Sequence, residues 1–477
     1  MTGPVETVDV VVVGMGPGGE AVAGELAAAG LSVVGVESRL VGGECPYYGC
    51  VPSKMLIRAA NALAEARRVP GLAGDSSVAP DFSVAARRIR EEATDNWDDA
   101  AAAKRFTGKG GRLVRGTGRL SGPRQVTVAG NDGGEATFSA RLAVVLNPGT
   151  NPAVPPVPGL AGTPFWTNRE ALRAEEAPES LIVLGGGPIG AELAQAFARF
   201  GTRVTVVARG PRLVPREEPE ASALLAEVFR GEGIDVLLNT NTTAVSHSPE
   251  AFTLELSTDT DDAGPHLSRL SAAKLLVATG RSSTLGALTL DAGGIAWDGR
   301  NPPAVDGHLQ LSDGLYLIGD AAGAGAFTHL SMYHANIVAG HILARHGAEG
   351  DAADSDRGTA DSHAVPRVTF TDPEIGAVGM TERQARDSGL TVRTGFTDLA
   401  GSTRGWIHQA VGFIKLVEDS GSGTLVGAAA VGPSGGEVLS MLTLAVHARM
   451  PVATLKRMIY AYPTFHRAVD SALADLH

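Results

Sequence analysis

The chain has 477 residues, 44% of them hydrophobic and 19% charged, so it is long enough for two to four globular domains. Its 40 Lys and Arg against 52 Asp and Glu give a net charge of −12, which argues against nonspecific nucleic-acid binding because that binding needs a basic surface. No segment has the apolar length of a membrane span, and the chain has only two cysteines, so we expect a cytoplasmic protein whose cysteines serve catalysis or redox sensing.

The first predicted element is a βαβ unit. Residues 9–19 combine a short apolar strand with a glycine-rich turn, and an Ala-rich helix and a second strand ending at Glu37 follow. The turn fits G-x-G-x-x-G with Gly14, Gly16 and Gly19. This pattern predicts a dinucleotide site in which a pyrophosphate meets a helix N-terminus and Glu37 accepts hydrogen bonds from a ribose.

A cysteine pair follows in residues 42–54, GGECPYYGCVPSK, where Cys45 and Cys50 are separated by four residues. If a helix begins inside this segment, the two sulfurs lie about one turn apart and can form a bond. The helix N-terminus would then lower a thiolate pKa, which favours redox exchange. A metal site is not expected, because no His or further Cys stands nearby.

The same nucleotide-binding pattern returns at residues 181–208. LIVLGGGPIG again precedes a helix and a strand, and its glycines are Gly185, Gly187 and Gly190. The interval from Gly14 to Glu37 equals that from Gly185 to Ala208. Two such patterns with equal spacing are far more specific than one.

The two units differ at the end of the second strand. Glu37 suits an unphosphorylated ribose, as in FAD, whereas Ala208 is followed by Arg209, Arg212 and Arg216. Replacing the acid removes repulsion of a 2′-phosphate, and a nearby Arg can bind that phosphate. We therefore predict FAD in the first site and NADPH in the second, with NADH as an alternative.

The segment around the cysteines resembles the GGTC-x4-C-[IV]-PSK motif of the class I FAD-dependent pyridine nucleotide-disulfide oxidoreductases, which include dihydrolipoamide dehydrogenase, glutathione reductase and mercuric reductase. Further segments are similar to family motifs over nearly the whole chain: RGTG (115–118), KLLVATGR (274–281), LYLIGDAAG (315–323) and VTFTDPEIGAVGMTE (368–382). By this resemblance, residues 115–118 form a loop along the adenine of FAD, and Asp320 binds the FAD ribitol.

The resemblance also assigns catalytic roles. Cys45 is the interchange thiol that meets the substrate, and Cys50 faces the flavin and forms a charge-transfer pair with it. Lys54 and Glu192 match the family's ion pair near flavin N5. The same likeness extends the cofactor-binding set, in which Lys54 is included, to Gly43, Gly118, Gly149 and Gly280.

The C-terminal segment departs from the family pattern. The family's usual H-x-H-P-T-x-x-E motif supplies a His–Glu acid–base pair across a dimer, but this chain has YAYPTFHR at 460–467. Tyr462 replaces the His before Pro, and Arg467 replaces the Glu. Tyr is a poor base near pH 7, so we predict poor activity with lipoamide or glutathione disulfide unless His466 takes the role. Mercuric reductases also carry Tyr near this position, but the C-terminal cysteine pair with which they receive the metal has no counterpart in this chain, which leaves mercury handling unsupported.

The predicted fold is α/β, with two Rossmann-like dinucleotide-binding domains and a C-terminal α+β dimerisation domain. The FAD-binding domain is expected at 1–152 and 281–346, the nicotinamide domain at 153–280, a flexible linker at 347–363 and the interface domain at 364–477. The family resemblance implies a homodimer whose active site is completed in trans.

Three functions are compatible with these motifs. The first is exchange of electrons between NADPH, FAD, the cysteine pair and a small-molecule or protein disulfide or dithiol. The second is reduction of a quinone or metal-ion electrophile, which needs no His–Glu pair. The third is a non-enzymatic flavin-bound redox sensor. We expect neither a nucleic-acid nor a membrane partner.

Overall fold

The computed structural model describes residues 5–258, 266–345 and 357–477. The chain divides into two compact units, each made of several stretches of sequence. The first unit comprises Met1–Pro52, Ile89–Asn151 and Arg281–Ser362, and the second comprises Ser53–Arg88, Pro152–Gly280 and His363–His477.

The first unit is built on a seven-stranded sheet. Its strands are Val5–Val13, Val33–Glu37, Arg112–Gly122, Gln125–Gly130, Glu135–Leu146, Gln310–Ser312 and Leu315–Leu317. The strand Val5–Val13 pairs in parallel with Val33–Glu37 on one side and with Glu135–Leu146 on the other. Its last four valines are 0–5% exposed, as expected for a central strand covered on both faces.

Two helices cover one face of this sheet. Pro17–Ala28 and Thr328–Arg345 are rich in small residues and pack against Val10 and Val12. Further helices of this unit are Glu44–Tyr48, the start of Cys50–Arg68, and Ala100–Thr107. The opposite face of the sheet is covered by an apolar cluster that includes Phe138 and Leu288.

The RGTG segment is a strand and not the expected loop. Residues 115–118 lie inside Arg112–Gly122, and Gly116, Thr117 and Gly118 pair antiparallel with the strand Gln125–Gly130. The prediction of a loop is wrong because the backbone groups of this segment are used in the sheet.

The second unit repeats the βαβ arrangement. Its parallel sheet contains Lys274–Val277, Ser180–Leu184, Arg203–Val207 and Asp235–Leu237, with the helices Pro188–Arg199 and Pro219–Gly231. A three-stranded antiparallel sheet is formed by Thr240–His247, Phe252–Thr258 and His266–Ala272. Further helices are the remainder of Cys50–Arg68, Phe82–Arg88 and Asn168–Arg173.

The C-terminal part of this unit contains a five-stranded antiparallel sheet. In spatial order its strands are Pro366–Thr369, Glu374–Gly379, Thr424–Gly432, Phe413–Asp419 and Val392–Asp398. Its helices are Glu382–Asp387, Thr403–His408, Gly435–His447, Val452–Leu455 and Ala468–Ala474. Leu416, Leu442 and Leu473 belong to its fully buried core.

The predicted α/β class with two dinucleotide-binding folds and a C-terminal α+β part is confirmed. The finer domain boundaries stay a prediction. Residues 347–356 of the predicted linker lie outside the described residues. After this gap, Arg357 forms an ion pair with Glu25, and the Ala360 amide donates to the Gly307 carbonyl.

Candidate active site

The first glycine turn, residues 14–19, folds tightly because it has no side chains at its contact points. Gly14 has φ +92°, and a Cβ placed there would lie 2.1 Å from the Asn147 carbonyl oxygen. A Cβ on Gly19 would lie 2.0 Å from the Gly14 oxygen. Gly16 is the N-cap of the helix that begins at Pro17, so the amides of the first helical turn are available to an anion such as a pyrophosphate.

Glu37 ends the second strand of the first unit and is 8% exposed. Its Oε2 accepts the Met15 amide and its Oε1 accepts the Arg39 amide, both at 2.8 Å. A carboxylate has about four acceptor positions, so this fixed group retains capacity for two ribose hydroxyls. The acceptor oxygens of Glu37 therefore fit the ribose hydroxyls of the adenosine part of FAD.

Asp320 lies at a third point of the first unit, in the turn Gly319–Ala322. Its Oδ2 accepts the Thr150 hydroxyl at 2.7 Å, and Arg281 donates to the same Thr150 side chain at 2.6 Å. His334 is 2% exposed and accepts the Gly319 amide through Nδ1 at 3.2 Å. Burial lowers the pKa of His334 to about 4, which keeps this ring neutral.

The remaining glycines predicted to contact a cofactor lie in turns or close contacts. Gly149 and Gly280 have φ of +65° and +128°. A Cβ on Gly118 would lie 3.1 Å from a Val13 methyl group. A Cβ on Gly43 would lie 2.9 Å from the Gly16 Cα, so the start of the cysteine segment rests directly on the first glycine turn.

The second glycine turn, residues 185–190, copies the first. Gly185 has φ +122°, and a Cβ there would lie 2.3 Å from the Ala278 carbonyl oxygen. A Cβ on Gly190 would lie 2.2 Å from the Gly185 oxygen, whereas one on Gly187 would meet no described atom within 4 Å. The open side at Gly187, ahead of the helix Pro188–Arg199, leaves space for a dinucleotide phosphate.

The strand end in the second unit differs as the sequence predicted. Ala208 is buried at 4% exposure, and its Cβ lies 3.1 Å from a Cβ built on Gly186. Arg209 is exposed, and Arg212 donates to the Pro215 carbonyl at 2.7 Å. The site thus has no carboxylate at position 208 and has guanidinium groups just beyond it.

The redox segment, residues 42–54, contains two helices and not one. Glu44–Tyr48 carries Cys45, Gly49 interrupts it with φ −130° and ψ −115°, and Cys50 begins the helix Cys50–Arg68. The condition of a single helix with sulfurs one turn apart is therefore not met. The two cysteines, both present as thiols, nevertheless meet through a side-chain hydrogen bond.

The lowering of a thiol pKa that was predicted from a helix N-terminus is not found at Cys45. A hydrogen bond with Cys50 and burial raise the pKa of the Cys45 thiol well above its ordinary value. The Thr328 hydroxyl acts in the opposite direction, and it also lies 3.3 Å from the Cys50 sulfur. In a close pair of thiols, loss of one proton leaves a thiolate that shares the remaining proton, so the second thiol ionises with difficulty.

Lys54 and Glu192 are brought together from distant parts of the sequence. Lys54 Nζ lies 2.8 Å from Glu192 Oε2, and the other carboxylate oxygen accepts the Phe370 amide at 2.8 Å. The Phe370 ring lies under Lys54, with Nζ 4.6 Å from the ring centroid. Glu192 is 7% exposed and Lys54 is 35% exposed, so the ammonium group is the accessible end of the pair.

The helix Pro188–Arg199, which carries Glu192, also fixes the Phe370 segment through buried polar side chains. Gln195 exchanges two hydrogen bonds of 2.8 Å with the backbone of Asp372. Arg199 is 3% exposed and pairs with Asp372 at 2.8 Å and with Glu232 at 2.5 Å. These contacts position the amide that holds Glu192.

Residues 97–99 contact the redox segment and the residue just before it. Asp99 accepts the Val41 amide at 2.6 Å and binds Arg115 with both carboxylate oxygens at 2.6 and 2.7 Å. Burial acts to raise the pKa of Asp99, but these bonds outweigh burial and lower it. Trp97 Nε1 donates to the Tyr47 carbonyl at 3.1 Å. Both ends of the segment before Gly49 are thus held by residues 97–99.

The C-terminal replacements do not form a His–carboxylate pair in the described chain. Tyr462 is 70% exposed, and its hydroxyl donates to Thr403 at 3.0 Å. The His466 ring lies 5.0 Å from the Tyr460 ring. Arg467 pairs with Asp470, so the residue at the family's Glu position is occupied by a local ion pair.

Several contributors were missed at the level of sequence. Thr328, Trp97 and Asp99 lie outside the motifs named above, whereas Phe370 lies inside VTFTDPEIGAVGMTE (368–382) but had no assigned role there. Their residue types are ordinary for a turn or a sheet. Only the TDP sequence that follows Phe370, within a family-like motif, marked one of them.

None of the described helices is both long and apolar enough to cross a bilayer. Within the same residues, no group of three or more His, Cys, Asp or Glu side chains is arranged to hold a metal ion.

The chain matches two family models that together cover most of its length. Residues 8–339 match the pyridine nucleotide-disulphide oxidoreductase model, and residues 365–473 match the dimerisation domain of the same group. The second match identifies the C-terminal part as a dimerisation domain.

Similar proteins carry two kinds of name. A mercuric reductase of Acidithiobacillus ferrooxidans is 36% identical over 94% of this chain and 79% of its own length. A mercuric reductase of Streptomyces lividans is 33% identical over 97% and 95%. A dihydrolipoyl dehydrogenase of Thermus scotoductus is 31% identical over 99% and 98%.

Among solved structures, the Cu(II) complex of the HOCl-induced flavoprotein disulfide reductase RclA from Escherichia coli is similar. It has a TM-score of 0.82 and 26% identity, and the match covers 98% of this chain and 99% of the other. The sensor hypothesis gains no support from these relatives, which are reductases and dehydrogenases. The chain therefore belongs to the pyridine nucleotide-disulphide oxidoreductase family and is an FAD-dependent, NAD(P)H-using disulfide oxidoreductase.

Proposed function

We propose that this enzyme takes electrons from NADPH and delivers them, through Cys45 and Cys50, to a disulfide of a small molecule or protein, or runs the reverse dithiol oxidation. The observation that carries this proposal is the contact between the two thiols at the start of the helix that also bears Lys54. FAD, bound by residues 1–152 and 281–346, supplies two-electron transfer between the nicotinamide and the cysteine pair. NADPH is assigned to residues 153–280.

In the reducing direction, the cysteine pair supplies both electrons that reduce the substrate disulfide. The Cys45 thiolate attacks a disulfide substrate, forms a mixed disulfide and releases one thiolate, which takes up a proton. Cys50 then attacks the Cys45 sulfur, releases the second substrate thiol and closes the Cys45–Cys50 bond. Two electrons have left the protein dithiol and two substrate thiols have formed.

The raised pKa of Cys45 makes proton removal the difficult step. In the family pattern a His–Glu pair removes that proton, but here position 462 is Tyr and position 467 is an Arg already paired with Asp470. General acid–base help of this kind contributes roughly 100-fold to 10,000-fold in rate. We therefore assign Tyr462 a hydrogen-bonding role toward substrate and expect low activity with lipoamide and glutathione disulfide.

A metal-ion or quinone electrophile is the second candidate, and the replacement at Tyr462 favours it. A thiophilic metal ion displaces the thiol proton by binding sulfur, and a quinone accepts electrons without thiol exchange, so neither substrate needs an external base. Relatives at 33–36% identity bear the name mercuric reductase, which agrees with this candidate.

Lys54 and Glu192 serve as the ion pair beside the flavin in this proposal. The ammonium end of the pair is accessible, while Glu192 is fixed by the Phe370 amide. A cation held in this way stabilises negative charge on the reduced cofactor. Glu192→Gln keeps an acceptor for that amide and removes the charge partner, so it separates the electrostatic role from packing.

Two copies are inferred to assemble through residues 364–477, so that Tyr462 and His466 of one copy complete the site of the other. Large apolar side chains exposed in this part of a single chain support this inference: Trp406 at 74%, Leu444 at 60%, Ile459 at 94% and Tyr462 at 70%. The enzyme is placed in the cytoplasm, where reducing conditions maintain the dithiol.

The test of the cysteine assignment is anaerobic two-electron reduction followed by absorption spectroscopy. Reduction should produce a long-wavelength band from the Cys50 thiolate beside oxidised flavin. Cys50→Ser should abolish it, and Cys45→Ser should show it without reduction. Because Cys50 is the more exposed thiol in the single chain, a band that survives Cys50→Ser and disappears in Cys45→Ser would reverse the two roles.

The test of the acceptor is a screen of the reduced enzyme against disulfides, quinones and metal ions. Tyr462→Phe and His466→Ala are the informative variants, with Tyr460→Phe as a control because Tyr460 is buried and donates to the Leu455 carbonyl. Impairment in Tyr462→Phe alone supports a substrate-positioning Tyr462. Family-like lipoamide activity that His466→Ala removes would show that His466 is the base.

A further inference from the structure

Three consecutive residues near the redox segment have a left-handed backbone. Asp95, Asn96 and Trp97 have φ of +48°, +57° and +57°, and none is a glycine. L-residues disfavour this region, and runs of it are rare. The turn Asp95–Trp97 follows the irregular helix Ile89–Ala93.

Local hydrogen bonds maintain this left-handed turn. Thr94 is 1% exposed, and its hydroxyl donates to the Ile89 carbonyl at 3.0 Å while accepting the Trp97 amide at 3.4 Å. The Asp98 amide donates to the Asp95 carbonyl at 3.0 Å. The strained conformation is thus specified by its surroundings.

The turn directs the Trp97 indole at the helix that carries Cys45. Trp97 Nε1 donates to the carbonyl of Tyr47 at 3.1 Å, and the Tyr47 hydroxyl reaches the Asp98 carbonyl at 3.5 Å. Tyr47 is the next-to-last residue of Glu44–Tyr48. Its carbonyl lies at the helix C-terminus, where carbonyls lack partners within the helix.

We infer that Trp97 is a positioning residue for the cysteine pair and that the left-handed turn Asp95–Trp97 exists to place its indole N–H on Tyr47. By holding the end of the Cys45 helix against the Gly49 break, this bond sets the separation of Cys45 from Cys50. Disulfide formation requires a narrow range of sulfur and Cβ distances. This inference rests on the proposed function, because it presumes that the two cysteines exchange electrons as a pair.

The measurable consequence is a shift in the dithiol–disulfide equilibrium. A fixed pair of thiols has a high effective concentration, and loosening one partner lowers it. Loss of one hydrogen bond to a carbonyl corresponds to roughly threefold to tenfold in an equilibrium constant. The Cys45–Cys50 disulfide should therefore be that much easier to reduce without the Trp97 contact.

The experiment uses the FAD-loaded enzyme with Trp97→Phe, which removes the N–H and keeps an aromatic ring. The equilibrium constant for disulfide formation is measured against mixtures of reduced and oxidised glutathione by trapping thiols. Trp297→Phe is the matched control, because Trp297 Nε1 also donates to a backbone carbonyl, that of Asn301 at 2.5 Å. We expect a shift in Trp97→Phe and none in Trp297→Phe.

A second pair of variants tests the turn without touching the indole. Asn96 is exposed, so both substitutions leave the core intact. Asn96→Gly tolerates positive φ and should preserve the equilibrium constant, whereas Asn96→Val disfavours positive φ and should shift it as Trp97→Phe does. Equal constants in wild type, Trp97→Phe and Asn96→Val would overturn the inference.

Failure of this inference differs from failure of the proposed function. If the long-wavelength band survives Cys50→Ser, the cysteine assignment fails first. If that band behaves as proposed while Trp97→Phe and Trp297→Phe merely lower the unfolding midpoint equally, Trp97 has only a structural role.

Discussion

The two glycine turns of this enzyme have the same backbone and different chemistry. In both, a Cβ on the first glycine would meet a backbone carbonyl, that of Asn147 for Gly14 and that of Ala278 for Gly185. The following strands then end differently, with a carboxylate bonded to two amides at Glu37 and a buried methyl group at Ala208. We expect the backbone geometry to make each turn a dinucleotide site and the side chain at the strand end to select the ribose.

The largest expected effects come from adding a methyl group to either turn. Gly14→Ala places a Cβ 2.1 Å from the Asn147 oxygen, and Gly185→Ala places one 2.3 Å from the Ala278 oxygen. Such overlap requires backbone displacement, which costs roughly 1–3 kcal/mol or more and corresponds to as much as about 100-fold in binding. We expect Gly14→Ala to lose FAD, and Gly185→Ala to keep FAD but lose reduction by NADPH.

Gly187→Ala is the control for flavin content and stability alone, because its Cβ would meet no described atom within 4 Å but would enter the space left for the dinucleotide phosphate. Flavin content by absorbance and the unfolding midpoint should equal those of wild type. Loss of flavin from Gly185→Ala would contradict the assignment of separate sites.

Ala208→Glu gives the second unit the strand-end carboxylate that the first unit has at Glu37. A carboxylate about 4 Å from a 2′-phosphate costs roughly 4 kcal/mol at an effective dielectric near 20, and less when solvated. The kcat/KM for NADPH should therefore fall by about 100-fold, while that for NADH changes little. Initial-rate measurements with both cofactors check this. An unchanged ratio of kcat/KM for NADPH to that for NADH would show that the ribose phosphate does not bind beside position 208.

The two units should also differ in acid sensitivity. Burial lowers the pKa of His334 from 6.5 to about 4. Between these two pH values His334 is protonated in the unfolded chain and neutral in the folded first unit. The contribution of His334 to the free energy of unfolding is complete above about pH 6.5. Roughly 1–3 kcal/mol of it is lost as the pH falls toward 4. Urea midpoints measured across this range should become less pH-dependent in His334→Gln. His247→Gln, an exposed change in the second unit, should leave the dependence intact.

Arg209→Ala should change cofactor choice less than Ala208→Glu does. One Arg–phosphate contact contributes roughly 1.5–3 kcal/mol, which is tenfold or more in specificity. The ratio of kcat/KM for NADPH to that for NADH should drop by about this factor in the variant. Arg203→Ala is a suitable control, since Arg203 pairs with Glu179 on the surface at 2.8 Å. A ratio unaffected by Arg209→Ala would leave Arg212 or Arg216 as the phosphate ligand.

Repetition made much of the fold predictable. The glycine patterns specify strand, turn and helix locally, so the βαβ units at residues 9–37 and 181–208 followed from the sequence. The RGTG strand did not, because its state depends on pairing with Gln125–Gly130. The helix break between the two cysteines was not predicted either, because Gly49 was the only signal for it in the sequence.

The candidate site was predictable only where one motif carries it. Cys45, Cys50 and the glycines were visible as patterns, whereas pairing of Lys54 with Glu192 needed the family resemblance. The Trp97 contact and the buried face of Gln195 and Arg199 join residues about 50 to 180 positions apart. No local pattern encodes such distances. The direction of the Cys45 pKa shift follows from its hydrogen bond with Cys50 and from burial, which no pattern in the sequence shows.

The close approach of Gly43 to Gly16 has a consequence for the reactivity of the two cysteines. A Cβ at Gly43 would lie 2.9 Å from the Gly16 Cα, so the redox segment folds only against a correctly formed dinucleotide turn. Any ligand that binds the formed turn therefore protects the cysteines by mass action, in proportion to the logarithm of its concentration over its dissociation constant. We therefore expect Cys45 and Cys50 to react faster with a thiol-alkylating reagent in chains prepared without FAD than in FAD-loaded chains.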